Sequence, residues 1–332
     1  NNKNTSHNTK YNVGFNDNTS LEFEVDNSFY YYQGQKLKLP NQIFDLQNIK
    51  NLKENNLIHD YHEFPAKATG NNCFNNSPNF NDWYDTVKLN YGINYRNGKK
   101  HFSLDTNSYI PKTGHSMYDV LRYWAYNGVD GFRCDMVEMV PVEFWHWVIK
   151  KLKREFPNII FIAEIYNIDL YQDYINIGDF DYLYDKINLY DTLRDIIEGK
   201  KNCSEITKVW QDLDKIGVSY CNNQIKNIQN KEYNNINCND KMLRFIENHD
   251  EQRIASKHFA NDPFKGIPAF AICALMHKGG VMIYNGQELG VNGDYDSGYS
   301  TEDGRTTIFD SWSEDELIKW NNKGNFNLDN FN

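Results

Sequence analysis

Val129-Asp-Gly-Phe-Arg-Cys134 and Ile159-Ile-Phe-Ile-Ala163, joined by a stretch that Pro141 opens and Pro157 stops, are the passage on which the fold turns. Both runs read as short strands. Between them Phe144, Val148 and Leu152 form an apolar stripe at helical spacing, with Pro141 well suited to a first-turn position. Upstream, Met117, Val120, Leu121 and Trp124 fall at i, i+3, i+4 and i+7, a helix that Asn127-Gly128 ends. Downstream the alternation continues. Phe180-Asp-Tyr-Leu-Tyr184 is a strand, with helices predicted near 190–199 and 204–216. Residues 200–240 are otherwise polar and Asn-rich. Met242-Leu-Arg-Phe-Ile246 is another strand, Pro268 begins an apolar helix running to about His277, and Gly280-Val-Met-Ile-Tyr284 is the last strand. Repeated strand-then-helix implies parallel strands covered by helices. Short apolar strands fit a sheet buried on both faces. Five such strands follow residue 128; a closed (β/α)8 barrel has eight.

The first hundred residues differ. They are rich in Asn, Asp, Gly and Tyr, with weak periodicity. Leu21-Glu-Phe-Glu-Val25 and Phe29-Tyr-Tyr-Tyr32 could be short strands, and the rest reads as loop. Interspersed aromatics favour an ordered, loop-rich lobe over disorder. The expected organisation is a lobe over residues 1–100 and an α/β remainder over 101–332.

Composition removes several function classes. A net charge of −10 leaves no basic patch to displace counterions from phosphates, so no nucleic-acid partner is expected. No stretch reaches the ~20 apolar residues of a membrane span. No signal peptide is visible, but the first residue is Asn, so that carries no weight; a secreted or periplasmic location is compatible with the sequence. Six cysteines, with no Cys-x-x-Cys pair, read neither as a zinc site nor as a disulfide framework. Cys134 and Cys273 sit in apolar runs, as small buried hydrophobes do. An aromatic content of 15% suits both sugar-stacking platforms and core packing, and for any single ring, Trp83 and Tyr84 included, packing is at least as good a reading.

Three carboxylates follow three of the strands: Asp135, Glu164 and Asp250. A lone Asp after a strand is often the N-cap of the next helix. Three acids delivered to one rim of a parallel sheet instead suit glycosidic-bond cleavage, where one carboxylate attacks the anomeric carbon and another protonates the leaving oxygen. Arg133 is two residues before Asp135, hence on the same face of the strand, where it can orient the carboxylate and keep it ionised. Glu164 leaves an apolar strand, so desolvation is expected to keep it protonated as an acid.

The residues around these acids carry a family resemblance. Gly131-Phe-Arg-Cys-Asp135 resembles the second conserved region of the α-amylase family, glycoside hydrolase family 13; Phe161-Ile-Ala-Glu164 looks like the third, and Phe245-Ile-Glu-Asn-His-Asp250 like the fourth. The resemblance extends from roughly residue 80 to 312 and includes Tyr284-Asn-Gly-Gln-Glu288. It implies a (β/α)8 barrel of which this chain holds about the last five strands, with an inserted lobe at its N-terminal end. It implies Asp135 as nucleophile, Glu164 as acid/base, Asp250 as transition-state stabiliser, Arg133 as support and His249, beside Asn248, as a ligand of sugar hydroxyls. The substrate implied is a starch-like α-glucan, maltodextrin or pullulan, cleaved with retention. Val87-Lys-Leu-Asn90 is similar to the fifth region in the form found in neopullulanases and cyclomaltodextrinases, which implicates Lys88 and Asn90 in substrate binding and extends α-1,4 cleavage to α-1,6. Asp303 and Arg305, after the last strand, are further candidates for lining the site; a surface ion pair is the alternative. The chemistry requires no cofactor. Oxygen ligands of the lobe could hold a structural Ca2+, though the sequence singles none out.

The sequence also departs from the family pattern. Glu138-Met139 stand where Lys-His is usual, which puts the leaving-group contacts in doubt. The first conserved region, Asp-x-x-x-Asn-His, and a C-terminal β-sandwich are not found. A fragment beginning within the inserted lobe is therefore expected, and a non-catalytic α-glucan-binding protein or a transglycosylase on the same scaffold stands as the alternative.

Overall fold

The computed structural model of the protein describes residues 14, 16–40, 63–104, 109–224, 236–293, 303–306 and 315–321, with the side chains of 217–224 and 315 excepted. Parts of the predicted lobe, the Asn-rich segment after residue 224 and the side chain of Cys221 lie outside the described residues. The described chain forms two compact units: residues 1–132, 136–160 and 177–179, and residues 133–135, 161–176 and 180–332. The helices over 112–126 and 142–155 thus belong to the unit that also holds residues 1–100.

In the first unit the described residues of the lobe carry two-residue strands. β1 (Tyr31–Tyr32) pairs antiparallel with β2 (Ala66–Lys67), and β3 (Ile93–Asn94) with β4 (Lys99–Lys100). The predicted strand at 21–25 does not form; of 29–32, Tyr31 and Tyr32 do, and Phe29 makes an isolated bridge to Leu89. Tyr30, Tyr32, Leu37, Ala66 and Ala68 form a small apolar cluster among the described residues of this segment. Helix α1 (Lys112–Tyr126) packs on α2 (Val142–Glu155). Phe144, Val148 and Leu152 are buried, as the stripe predicted. Glu143 in the first turn and Lys153 and Arg154 in the last complement the α2 dipole.

The predicted strands form one sheet: β5 (Gly131–Cys134), β6 (Ile160–Ala163), β7 (Tyr182–Tyr184), β8 (Met242–Arg244) and β9 (Gly280–Val281), in sequence order. The pairs from β6 to β9 are parallel. The intervening helices are α2, α3 (Asp191–Ile197), α4 (Ser204–Gln224) and α5 (Gly266–Leu275); α6 (Asp315–Asn321) follows the sheet. A parallel sheet with helical crossovers, its strands in chain order, is part of a (β/α)8 barrel. In the second unit α3, α4 and α5 pack together with the segments after β7 and β8 through Leu189, Leu193, Ile206, Ile246, Ile254 and Cys273. Five cysteines described, Cys134 and Cys273 among them, are free thiols. Among the described residues no helix is long and apolar enough to cross a membrane.

Two positions carry this packing locally. A Cβ on Gly131 would lie 2.6 Å from the carbonyl oxygen of Ile160, so only glycine lets β5 and β6 approach this closely. Lys88 is buried and donates from Nζ to the carbonyl of Met139 at 2.8 Å. Burial pulls its pKa down to about 8 from an ordinary 10.5.

Gly131→Ala is therefore expected to cost about 1–3 kcal/mol by overpacking against a backbone atom that cannot yield. A calorimetric scan should read this as a clearly lower midpoint; an unchanged midpoint would mean that the strands do not meet at this residue. Lys88 binds fewer protons folded than unfolded between the two pKa values, so its contribution makes stability rise with pH over that window. Urea titrations at pH 8, 9 and 10 should show a slope of up to about 1.4 kcal/mol per pH unit that Lys88→Met lacks. Equal slopes in the two proteins would show that the Met139 carbonyl keeps the ammonium charged.

Candidate active site

Backbone pairing continues past the strand ends and aligns them. The amide of Glu164 donates to the carbonyl of Cys134 at 3.0 Å, and that of Asp185 to Leu243 at 3.0 Å. The first of these sets Asp135 and Glu164 at neighbouring strand ends.

Arg133 is the hub, and every group it meets here belongs to the second unit. Its Nη1 contacts Oδ1 of Asp135, its Nη2 lies 2.8 Å from Oε1 of Glu164, and the same Nη2 lies 3.9 Å from Oδ2 of Asp250. The three acids that the sequence singled out thus surround one guanidinium. Burial works against the arginine's charge; a hydrogen bond with Tyr184, the charge of Glu164 and the bond to Asp135 outweigh it, and its pKa is raised. The guanidinium carbon lies 5.5 Å from the centroid of the Tyr184 ring.

The acids differ in environment. The side chain of Asp135 is 72% exposed, Asp250 44% and Glu164 only 4%. Glu164 is desolvated, as expected from its apolar strand. The structure adds two partners that desolvation alone did not anticipate. The Tyr166 hydroxyl donates to Oε1 at 2.8 Å, and the charge of Arg133 lies against the same oxygen, with Nη2 at 2.8 Å. A buried carboxyl beside two exposed ones, all within reach of one cation, can divide proton transfer from nucleophilic attack.

The Asp250 turn is built by its own sequence. Asn248 is buried, and its Oδ1 accepts from the amides of Asp250 and Glu251, each at 2.9 Å. That oxygen therefore shapes the turn. His249 Nε2 lies 3.2 Å from Asp250 Oδ2. On one side, Glu247 receives Arg253 Nη1 at 2.9 Å and the Ile254 amide at 2.7 Å. Arg253 also reaches the Asn285 carbonyl at 2.7 Å and Thr306 Oγ1 at 2.9 Å, tying the turn to the segments after β9. Burial pushes the Glu247 carboxyl up and Arg253 pulls it back, with burial the stronger effect. On the other side, Glu251 lies 3.2 Å from Lys186 and 3.6 Å from Arg194.

The remaining candidates are placed as follows. Asp303 and Arg305 pair with each other at 2.7 Å, both about two-fifths exposed. Lys88 and Asn90 lie in the first unit and are buried; Asn90 Nδ2 donates to the Glu24 carbonyl and its Oδ1 accepts from the Gly92 amide, each at 2.8 Å. Their polar atoms are engaged with backbone. Among the described residues no cluster of three or more His, Cys, Asp or Glu side chains is arranged to hold a metal ion. Two site residues were not singled out from sequence, Tyr166 and Tyr184. Tyr166 stands two residues after Glu164, and Tyr184 ends a strand; both signals were present.

Residues 40–325 match the family described as alpha amylase, catalytic domain. An alpha-1,4-glucan:maltose-1-phosphate maltosyltransferase of Picrophilus torridus is 38% identical over 50 residues, 15% of this chain and 8% of that protein. An alpha-glucosidase of Schizosaccharomyces pombe is 24% identical over 214 residues, 56% of this chain and 36% of that one. The chain thus spans well under half the length of these curated relatives. Among solved structures, an alpha-amylase from H. orenii superposes with a TM-score of 0.47 at 19% identity, covering 68% of this chain and 45% of that one. The family match takes in most of the chain, includes all three acids and Arg133, and shows that the protein belongs to the α-amylase catalytic-domain family.

Proposed function

We propose that the protein is a retaining glycoside hydrolase that cleaves α-1,4 glucosidic bonds of starch-like α-glucans and maltodextrins, with α-1,6 bonds as in pullulan a secondary target. The observation that carries this is the gathering of Asp135, Glu164 and Asp250 about Arg133. Two carboxylates on two nitrogens of one guanidinium support the retaining arrangement, in which the working carboxyls stand ~5–5.5 Å apart.

In the first step Asp135 attacks the anomeric carbon, the glycosidic C–O bond breaks, and the proton of Glu164 passes to the leaving oxygen. In the second, water attacks the anomeric carbon, gives its proton to Glu164 and frees Asp135. Exposure suits Asp135 to attack, and burial suits Glu164 to carry the proton. Once Asp135 is a neutral ester, the full charge of Arg133 is available to Glu164, which must then be a carboxylate to act as base. Asp250, with His249 against it, would hold sugar hydroxyls as the ring flattens.

Glycosyl transfer to an acceptor other than water is the second reading. It is favoured by the 38% identity, over 50 residues, to a maltosyltransferase. The chemistry to Asp135 is shared, and only the acceptor differs.

Reducing-sugar release from starch and from pullulan, with and without added maltose as acceptor, tests both readings. Asp135→Asn should fold normally and lose turnover by several orders of magnitude, roughly 10³-fold or more. Wild-type activity in that variant would overturn the assignment. Glu164→Gln should lose most activity on sugar leaving groups and retain more on activated aryl glycosides, which need less acid help. Equal loss on both would remove Glu164 from the acid role, and a folded wild-type chain with no activity on any substrate would favour glucan binding without catalysis.

A further inference from the structure

Tyr166 has no place in the proposed chemistry so far, yet its hydroxyl lies 2.8 Å from Oε1 of Glu164. The two residues leave β6 two positions apart, so both side chains emerge on one side of the chain. The groups that share this surrounding are Arg133 and Asp135 at the end of β5, Tyr184 at the end of β7, and His249, Asp250 and Glu251 in the turn after β8. Tyr166 donates to Oε1 of Glu164, and Arg133 Nη2 lies 2.8 Å from the same oxygen as an ion pair. Burial, then the charge of Glu164 and the bond to it, raise the phenol's pKa. The hydroxyl therefore keeps its proton and acts as a donor throughout the neutral range.

A donor fixed on a carboxyl oxygen favours the ionised form. Its bond strengthens as Glu164 loses its proton and weakens as Glu164 regains one. The effect on the two halves of the reaction is opposite in sign. Resting on the hydrolase reading above, we infer that Tyr166 is a positioning residue for Glu164, strengthening it as the acid that expels the leaving sugar and weakening it as the base that activates the acceptor. Arg133 cannot set this balance alone, because it is shared with Asp135 and Asp250.

Tyr166→Phe keeps the ring and removes the donor. Two or three donors can depress a carboxylate by about two units, so losing one is expected to raise the alkaline limb of kcat/KM by roughly half to one pH unit. With a sugar leaving group, formation of the glycosyl-enzyme should slow by about threefold to tenfold. With an activated aryl glycoside, whose turnover is governed by breakdown of that intermediate, kcat should hold or rise. A fall in both steps together with an unmoved limb would reduce Tyr166 to a packing role and overturn the inference, as would no change in any of the three readouts.

A measurement independent of turnover separates this inference from the hydrolase reading. The Glu164 carboxyl carbon, labelled with 13C and assigned by its loss in Glu164→Gln, should titrate higher in Tyr166→Phe than in the wild type. The same midpoint in both overturns the inference even in an active enzyme. A shifted midpoint in a chain without Asp135-dependent turnover upholds the Tyr166–Glu164 coupling while the hydrolase reading fails.

Discussion

Three carboxylates gathered at the strand ends of one sheet are held together by the cation among them. Like charges a few ångströms apart repel, the more so where one of them is stripped of water. Arg133 answers this constraint. It reaches the most exposed acid with one nitrogen and the most buried one with the other, and the third lies just beyond. A guanidinium can do this because its donors form a planar fork; a lysine would offer a single point of charge. The ring of Tyr184 beside the guanidinium further limits where it can go.

That arrangement has its own requirements. Asp250 is held by a turn fixed by buried polar groups, flanked by Ile246 and Ile254 in the apolar core. Asn248 closes it internally, and the Glu247–Arg253 pair anchors one flank with 3% and 1% of the side chains exposed. A second buried pair, Arg244 with Asp185 at 3.4 Å, ties β8 to the residue after β7. Pairs this deep recover little net stability, because both charges are stripped of water. What they supply is a fixed geometry, since breaking either partner away leaves a bare charge behind. The second unit is therefore organised around oriented charge, with the apolar cluster under α3, α4 and α5 as its foundation.

Much of this was legible along the chain. The five strands after residue 128 and the helices between them follow from apolar runs and helical stripes, because those signals are local and strong. The acids at 135, 164 and 250, and Arg133 two residues before the first, were visible from strand parity and motif. The lobe was less so. Leu21 to Val25 alternates like a strand yet forms none, since a strand of that kind needs a partner that only the tertiary fold can supply. Lys88 and Asn90 illustrate the same limit from the other side: nothing local distinguishes a lysine that reaches a ligand from one that reaches the Met139 carbonyl. Tyr166 was within reach of the parity argument applied to Arg133, but a single tyrosine after an acid is an ordinary neighbour until its hydroxyl is seen at bonding distance.

The sequence by itself determined the order of strands and helices, the family, and which carboxylates lie at strand ends, because those depend on patterns a few residues long. The tertiary structure alone decided that one guanidinium serves three acids, that Glu164 is buried while Asp135 is open, and that Tyr166 and Arg133 meet the same carboxyl oxygen. Burial and hydrogen-bond partners arise between residues as far apart as Arg133 and Asp250. No local pattern encodes them, because each depends on how several strand ends are brought together at once.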